Sequence, residues 1–183
     1  MSVVNAALVK QLRDKTGAGM MDCKNALVET NGNIEESIDW LRKKGISGAE
    51  KKSARVAADG VIAVATNNDS GALVEINSET DFVSRNPDFQ LFAKNISNIA
   101  LKFGSDIDKL KKAQYLDTSK NVEETLTELI GLIGENIVLR RTVLLKNSNT
   151  NNSIFSSYIH GQVDSGLGKI GVILSIESNG DIV

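Results

Sequence analysis

Val61-Ile62-Ala63-Val64-Ala65-Thr66, then Asn67-Asn68-Asp69-Ser70-Gly71, then Ala72-Leu73-Val74-Glu75-Ile76-Asn77: this stretch decides the fold. In the first run Val61, Ala63 and Ala65 recur at every second position, and in the last run Ala72, Val74 and Ile76 do the same. Successive side chains of a strand point to opposite faces, so a period of two lines one buried face. The five residues between the runs are turn formers, Asn and Asp through side-chain bonds to their own backbone and Gly through its free dihedrals. The stretch therefore reads as a β-hairpin. The residues before it and directly after it follow the helical period instead. The residues alone thus read as a mixed α/β protein with a helical appendage.

Thr80-Asp81-Phe82-Val83-Ser84-Arg85-Asn86 follows the hairpin and leads into a helix starting near Pro87. A large aromatic thus stands at a strand-to-helix junction, between an acid and a base. Junctions lie at the surface, because a buried loop strands its backbone polar groups. Phe82 there is either an anchor for another protein or a plug for the local core. The residues alone leave both readings open. Beyond it, Phe89, Phe92, Ile96, Ile99, Ala100 and Phe103 form a helical stripe ended by Gly104, which reads as core. Further helices are expected over 107–116 and 122–135, the second opened by Asn121 as N-cap with Glu124 three residues on. Strands are expected over 137–145, 154–160 and 169–177, with a turn at 163–168. Ser178-Asn179-Gly180-Asp181 is a second hairpin turn signal close to Val183, so the second half of the core is expected to be incomplete. No internal repeat stands out, although two hairpin-plus-helix halves fit the pattern.

Residues 1–45 read as three short helices. Val4, Leu8 and Leu12 share one face of the first, which Thr16-Gly17-Ala18-Gly19 stops. Cys23, Ala26 and Leu27 point inward from the second, and Met20 and Met21 follow the Gly-rich turn, with one of them expected to pack inward. Asn33 with Glu36 resembles a capping box ahead of the third, which carries Ile34, Ile38 and Leu41 and is expected to end at Gly45. Residues 46–58 hold few apolar side chains and read as an exposed, partly helical linker. The expected organisation is therefore a helical part over 1–45, a linker over 46–58 and a mixed sheet-and-helix part from residue 59 onward.

The chain has 183 residues, 41% hydrophobic and 24% charged, the composition of an ordinary globular protein. A net charge of −2 and 4% aromatics argue against a chain devoted to nucleic acid. Arg42, Lys43, Lys44, Lys51, Lys52 and Arg55 are locally basic, either a solvated face or an RNA patch without interleaved aromatics. Cys23 is the single cysteine, which excludes an intrachain disulfide and a Cys-rich zinc site and fits a reducing cytosol. No apolar run reaches the ~18 residues of a membrane span, and the first residues lack the pattern of a signal peptide, so a cytoplasmic location is expected.

His160 is the single histidine, so neither a His pair for a metal nor a Cys–His nucleophile is available. It reads as a hydrogen-bonding residue at a strand end, or as a general base without a visible partner. No Gly-rich phosphate loop of the P-loop type occurs, and Asp69, Asp81 and Asp88 are not spaced as a calcium loop. No metal and no cofactor are expected.

Several segments together resemble bacterial-type elongation factor Ts. They are Leu8-Val9-Lys10-Gln11-Leu12-Arg13 through Thr16-Gly17-Ala18-Gly19-Met20-Met21-Asp22-Cys23-Lys24, then Thr80-Asp81-Phe82-Val83, then Ile133-Gly134-Glu135-Asn136 with Arg140-Arg141, and His160-Gly161 before Lys169-Ile170-Gly171-Val172. The order is kept nearly end to end. The resemblance implies a guanine nucleotide exchange factor for the GTPase elongation factor Tu, not an enzyme of covalent catalysis. It implies a ubiquitin-associated-like three-helix N-terminal domain that docks on the GTPase through Lys10, Arg13, Met20, Met21 and Lys24, then a linker and an α+β core with an antiparallel sheet and flanking helices, in two related halves over 59–136 and 137–183. It implies that Asp81 and Phe82 enter between two GTPase helices beside the magnesium site, that Ile133 and Gly134 neighbour that contact, and that His160 serves a contact in the second core half. Asp81 either caps the turn or meets the partner. No membrane and no direct nucleic acid partner are expected. Ser84 stands where the family commonly has Ala, and the chain stops where the family continues.

Overall fold

The computed structural model describes residues 4–147 and 153–178. They divide into two compact units: Met1–Ala54 with Thr127–Glu135, and Arg55–Leu126 with Asn136–Val183.

Three helices open the first unit: α1 (Ala6–Thr16), α2 (Met20–Glu29) and α3 (Ile34–Lys52). The Asn5 side chain accepts from the Leu8 amide at 2.8 Å and caps α1. Gly17 ends that helix with φ +68, a left-handed angle that a Cβ disfavours, and donates its N–H to the Arg13 carbonyl. Asn33 accepts from the Glu35 and Glu36 amides while its own Nδ2 donates to Glu36 Oε1 at 2.8 Å, so the expected capping arrangement forms. Leu12, Cys23, Ala26 and Leu27 are fully buried, with Leu8, Ile34, Ile38, Trp40 and Leu41 around them.

The third helix does not end at Gly45 as expected; it continues to Lys52. Gly45 lies inside the helix, where a neighbour comes close to its backbone. A fourth helix, α6 (Val122–Ile133), sends its second half into this unit, and a Cβ on Gly131 would stand 3.2 Å from the Gly45 Cα. The missing side chain of Gly131 lets α6 come close to the α3 backbone at Gly45, while a Cβ on Gly45 itself would meet nothing within 4 Å.

The second unit is built on a four-stranded antiparallel sheet. Its strands are β1 (Asp59–Thr66), β2 (Ser70–Ser78), β3 (Ile137–Lys146) and the two-residue β5 (Leu167–Gly168), in the order β3-β2-β1-β5. The expected hairpin is present: Ala65 faces Ala72, and the Asn67 side chain accepts from the Asp69 and Ser70 amides at 2.9 and 2.8 Å. Val61, Ala63, Ala65, Ala72, Val74 and Ile76 are buried, as the alternation requires. The helix α4 (Pro87–Phe103) covers that face with Phe89, Phe92, Ala93, Ile96 and Ala100. Phe103, read as part of this stripe, is exposed.

Strands β4 (Ser153–His160) and β6 (Ile170–Glu177) pair antiparallel as a second, two-stranded sheet. It lies on the other face of the larger sheet, so closely that a Cβ on Gly171 would stand 2.5 Å from Ile62 Cγ2. Its outward face carries Ile154, Tyr158, Ile170, Val172, Leu174 and Ile176, all exposed. Two boundaries differ from expectation. The helix read over 107–116 is only α5 (Ile107–Lys112), after which Gln114 bridges back to Asn121 around Asp117-Thr118-Ser119, residues that favour turns. Leu167 and Gly168, read as turn, pair with Ala63 and Ile62. Asn121 and Glu124 do form a reciprocal cap on α6, at 2.8 and 2.9 Å. Of the second hairpin turn signal, Asn179, Gly180 and Asp181 lie outside the described residues.

Candidate partner-binding site

A single 3-10 turn, Asp81–Arg85, carries the junction aromatic. Phe82 is 77% exposed, whereas the next two residues, Val83 and Ser84, are buried. The local plug is therefore Val83 together with Phe89, and Phe82 is displayed. Side chains and amides hold the turn carbonyl by carbonyl. Ser78 Oγ donates to Thr80 O at 2.9 Å, Ser84 Oγ to Asp81 O at 2.6 Å, and Gln90 Nε2 to Ser84 O at 2.8 Å. The Asn86 amide donates to Val83 O at 2.9 Å, and the Asn86 side chain then caps α4 through the Asp88 and Phe89 amides.

The capping role considered for Asp81 falls instead to Asn86. The residue before the turn, Thr80, makes no side-chain cap bond, and among the described residues the Asp81 carboxylate accepts none. An exposed carboxylate and an exposed phenyl ring stand side by side, and among the described residues nothing bonds the carboxylate. Arg85, on the same turn, is exposed as well.

Lys10 and Arg13 on α1 and Lys24 on α2 are exposed and hold no ion pair among the described residues. Other cations of this unit are engaged: Lys15 meets Glu35 at 3.8 Å, and Lys44 meets Asp22 at 2.6 Å while lying over the Trp40 ring. Met20 and Met21 are 53% and 62% exposed, so neither packs inward as expected of one of them. A methionine pair at a helix start offers a partner adaptable, polarisable surface. Ile133 is half-buried and Gly134, at φ +87, is exposed. Both belong to the first unit, whereas Asp81, Phe82 and His160 belong to the second.

His160 ends β4 in an exposed position, its Nδ1 3.5 Å from Tyr158 Oη. Its backbone carbonyl accepts from the Lys169 amide at 3.0 Å. Among the described residues no acid bonds the ring, and Tyr158 is its polar neighbour. Among the described residues no group of His, Cys, Asp and Glu is placed to hold a metal ion.

One polar groove was not read from the sequence. Asp59, Gly60, Glu75, Asn77 and Lys169 line a shallow depression of about 290 Å³. Lys169 bonds Asp59, and Arg141 meets Glu75 at 2.5 Å. The Lys169 ammonium and the Gly60 amide hold the Asp59 carboxyl below its usual 3.8. These pairs satisfy one another across 110 and 66 residues of sequence, a separation no local pattern reveals.

The second unit thus displays one phenyl ring on a braced turn, and the first unit displays two thioethers and three cations that hold no ion pair among the described residues. The family model described as Elongation factor TS matches residues 79–182, more than half of the chain. Curated relatives named Elongation factor Ts include that of Methylorubrum populi, 51% identical over 182 residues. That of Methylocella silvestris is 52% identical over 184 residues, and that of Rhizobium meliloti 49% over 178. The matches take in 97–100% of this chain but only 57–58% of those relatives. The chain belongs to the elongation factor Ts family and spans just under three fifths of the length of these relatives.

Proposed function

We propose that this chain acts as a guanine nucleotide exchange factor for elongation factor Tu, in the cytoplasm, by protein binding and without covalent chemistry. The observation that carries the reading is Phe82: a 77% exposed phenyl ring on a turn whose carbonyls are bonded on both sides of it. Lys10, Arg13, Met20, Met21 and Lys24 dock the first unit on the GTPase, and Ile133 and Gly134 neighbour the contact that Asp81 and Phe82 make with it. Asp81 and Phe82 enter near the magnesium and phosphates, and His160 adds a contact from the second sheet. The organisation that goes with this reading is a docking domain over 1–45, a linker over 46–58, and core halves over 59–136 and 137–183.

The local basic stripe gives little to RNA. Arg42, Lys44 and Arg55 face Asp39, Asp22 and Glu79 at 3.7, 2.6 and 3.4 Å.

The mechanism follows from linkage. If the factor weakens nucleotide binding, nucleotide weakens factor binding by the same ratio. The factor therefore binds best to the empty GTPase. Burial of one phenyl ring supplies about 1.5–3 kcal/mol, which is roughly one to two powers of ten. Larger acceleration needs the first unit docking at the same time. The test is affinity. The chain is expected to bind nucleotide-free elongation factor Tu much more tightly than the GDP form, and added GDP to displace it. Equal affinity for the two forms would refute exchange activity.

A further inference from the structure

We propose that Gln90 is a positioning residue for nucleotide release: it never meets the partner but aims Phe82. The inference rests on the exchange reading above and deepens it. Gln90 sits in the first turns of α4, half-buried, and its Nε2 donates to the Ser84 carbonyl at 2.8 Å. A carbonyl only accepts, so the contact needs the amide NH2 of Gln90 and fails with a carboxylate. Ser84 is buried, and its hydroxyl in turn donates to the Asp81 carbonyl at 2.6 Å. The two bonds run in series from α4 through Ser84 to the residue before Phe82. Helix α4 lies on the sheet through Phe89 and Phe92, so the brace has a rigid base. A 3-10 turn of five residues has poorer internal hydrogen-bond geometry than an α-helix and depends on such side-chain supports.

The purpose of a brace is preorganisation. A ring already held in its working direction loses less freedom on docking, so more of its burial free energy is expressed in the complex. Gln90 matters to release even though Phe82, and not Gln90, makes the apolar contact. Ser84 gives a second link that the hydroxyl supplies and an alanine would not.

The experiment follows release of fluorescent GDP from elongation factor Tu at increasing concentrations of the full chain. The variants are Gln90→Glu, Gln90→Lys, Phe82→Ala and the double variant Phe82→Ala with Gln90→Glu. Gln90→Glu removes the donor at constant shape and is expected to lower the maximal release rate by roughly three- to tenfold. The half-saturating concentration should stay near that of the parent, because the first unit docks unchanged. Gln90→Lys restores a donor of similar reach and should recover most of the rate. Amide exchange at Asn86, whose N–H closes the turn on Val83, should quicken in Gln90→Glu while the thermal midpoint holds. In the Phe82→Ala background Gln90→Glu should change nothing, since there is no ring left to aim. An additive loss there, or an unchanged maximal rate in Gln90→Glu beside a slow Phe82→Ala, would overturn the positioning role. A parent-like rate in Phe82→Ala would overturn the role of the ring and this inference with it, whereas no acceleration by the parent chain would overturn the exchange reading itself.

Discussion

Asp81 and Phe82 show how one residue pair can be structurally idle and still conspicuous. Their neighbours Val83 and Ser84 are buried, while the phenyl ring is exposed and the carboxylate has no partner among the described residues. Substitutions at exposed sites without such ties usually move stability by less than about 0.5 kcal/mol. Asp81→Ala is therefore expected to melt within a degree or two of the parent while slowing GDP release. Calorimetry beside a release assay checks this, and a large drop in melting temperature would show an internal role for the carboxylate. The junction was legible because a strand pattern, an aromatic between charges and a Pro-led helix are all local signals. That Asn86 and not Asp81 makes the cap was not legible. Both are good capping types, and only the backbone path decides which one precedes a free N–H.

At the scale of elements, the hairpin and α4 could be read in advance because their burial follows one period each. The run of α3 past Gly45 was not legible, because a glycine that ends a helix and one whose backbone a neighbour approaches look alike in sequence. The neighbour, Gly131, lies 86 positions away (131 − 45) and its local pattern is simply that of an amphipathic helix. The difference makes a paired prediction. A Cβ at Gly45 meets nothing within 4 Å, so Gly45→Ala should gain up to about 1 kcal/mol from helix propensity. A Cβ at Gly131 meets the Gly45 backbone at 3.2 Å, so Gly131→Leu should lose roughly 1–3 kcal/mol by overpacking. Urea unfolding of each variant measures both, and a gain at Gly131 would contradict the close approach. Gly171 is a second such site. Gly171→Val should destabilise the second unit by a similar ~1–3 kcal/mol, because its Cβ would meet Ile62 at 2.5 Å. The two-residue β5 escaped sequence reading for another reason: a pair of residues has no period.

Across the whole molecule, long-range ion pairs tie late segments back to early ones. Lys94 meets Asp164 at 2.7 Å, and Lys169 bonds Asp59. Bonding to the lysine, chiefly, holds each carboxyl below its usual 3.8, with the Ser165 and Gly60 amides adding to it. A carboxyl depressed by folding leaves the native state with fewer bound protons than the unfolded chain. Its stabilising contribution is complete above about 3.8 and disappears as pH falls through the lower native value. The melting temperature should thus fall more steeply below about pH 4 in the parent than in an Asp59→Asn, Asp164→Asn double variant. Parallel acid limbs in the two proteins would show that these pairs add nothing. Such pairs were invisible in the sequence, as was the joining of 127–135 to the N-terminal helices, since both depend on which distant surfaces meet. What the sequence did carry was the order of short family segments, and those same segments supply the exposed ring, thioethers and cations.

The most direct measurement is release of fluorescent GDP from elongation factor Tu, with the parent chain and with Phe82→Ala at equal saturating concentration. The parent should accelerate release, and the variant should lose about one to two powers of ten of that acceleration. A Phe82→Ala chain that releases GDP as fast as the parent would contradict the central claim that this ring drives exchange.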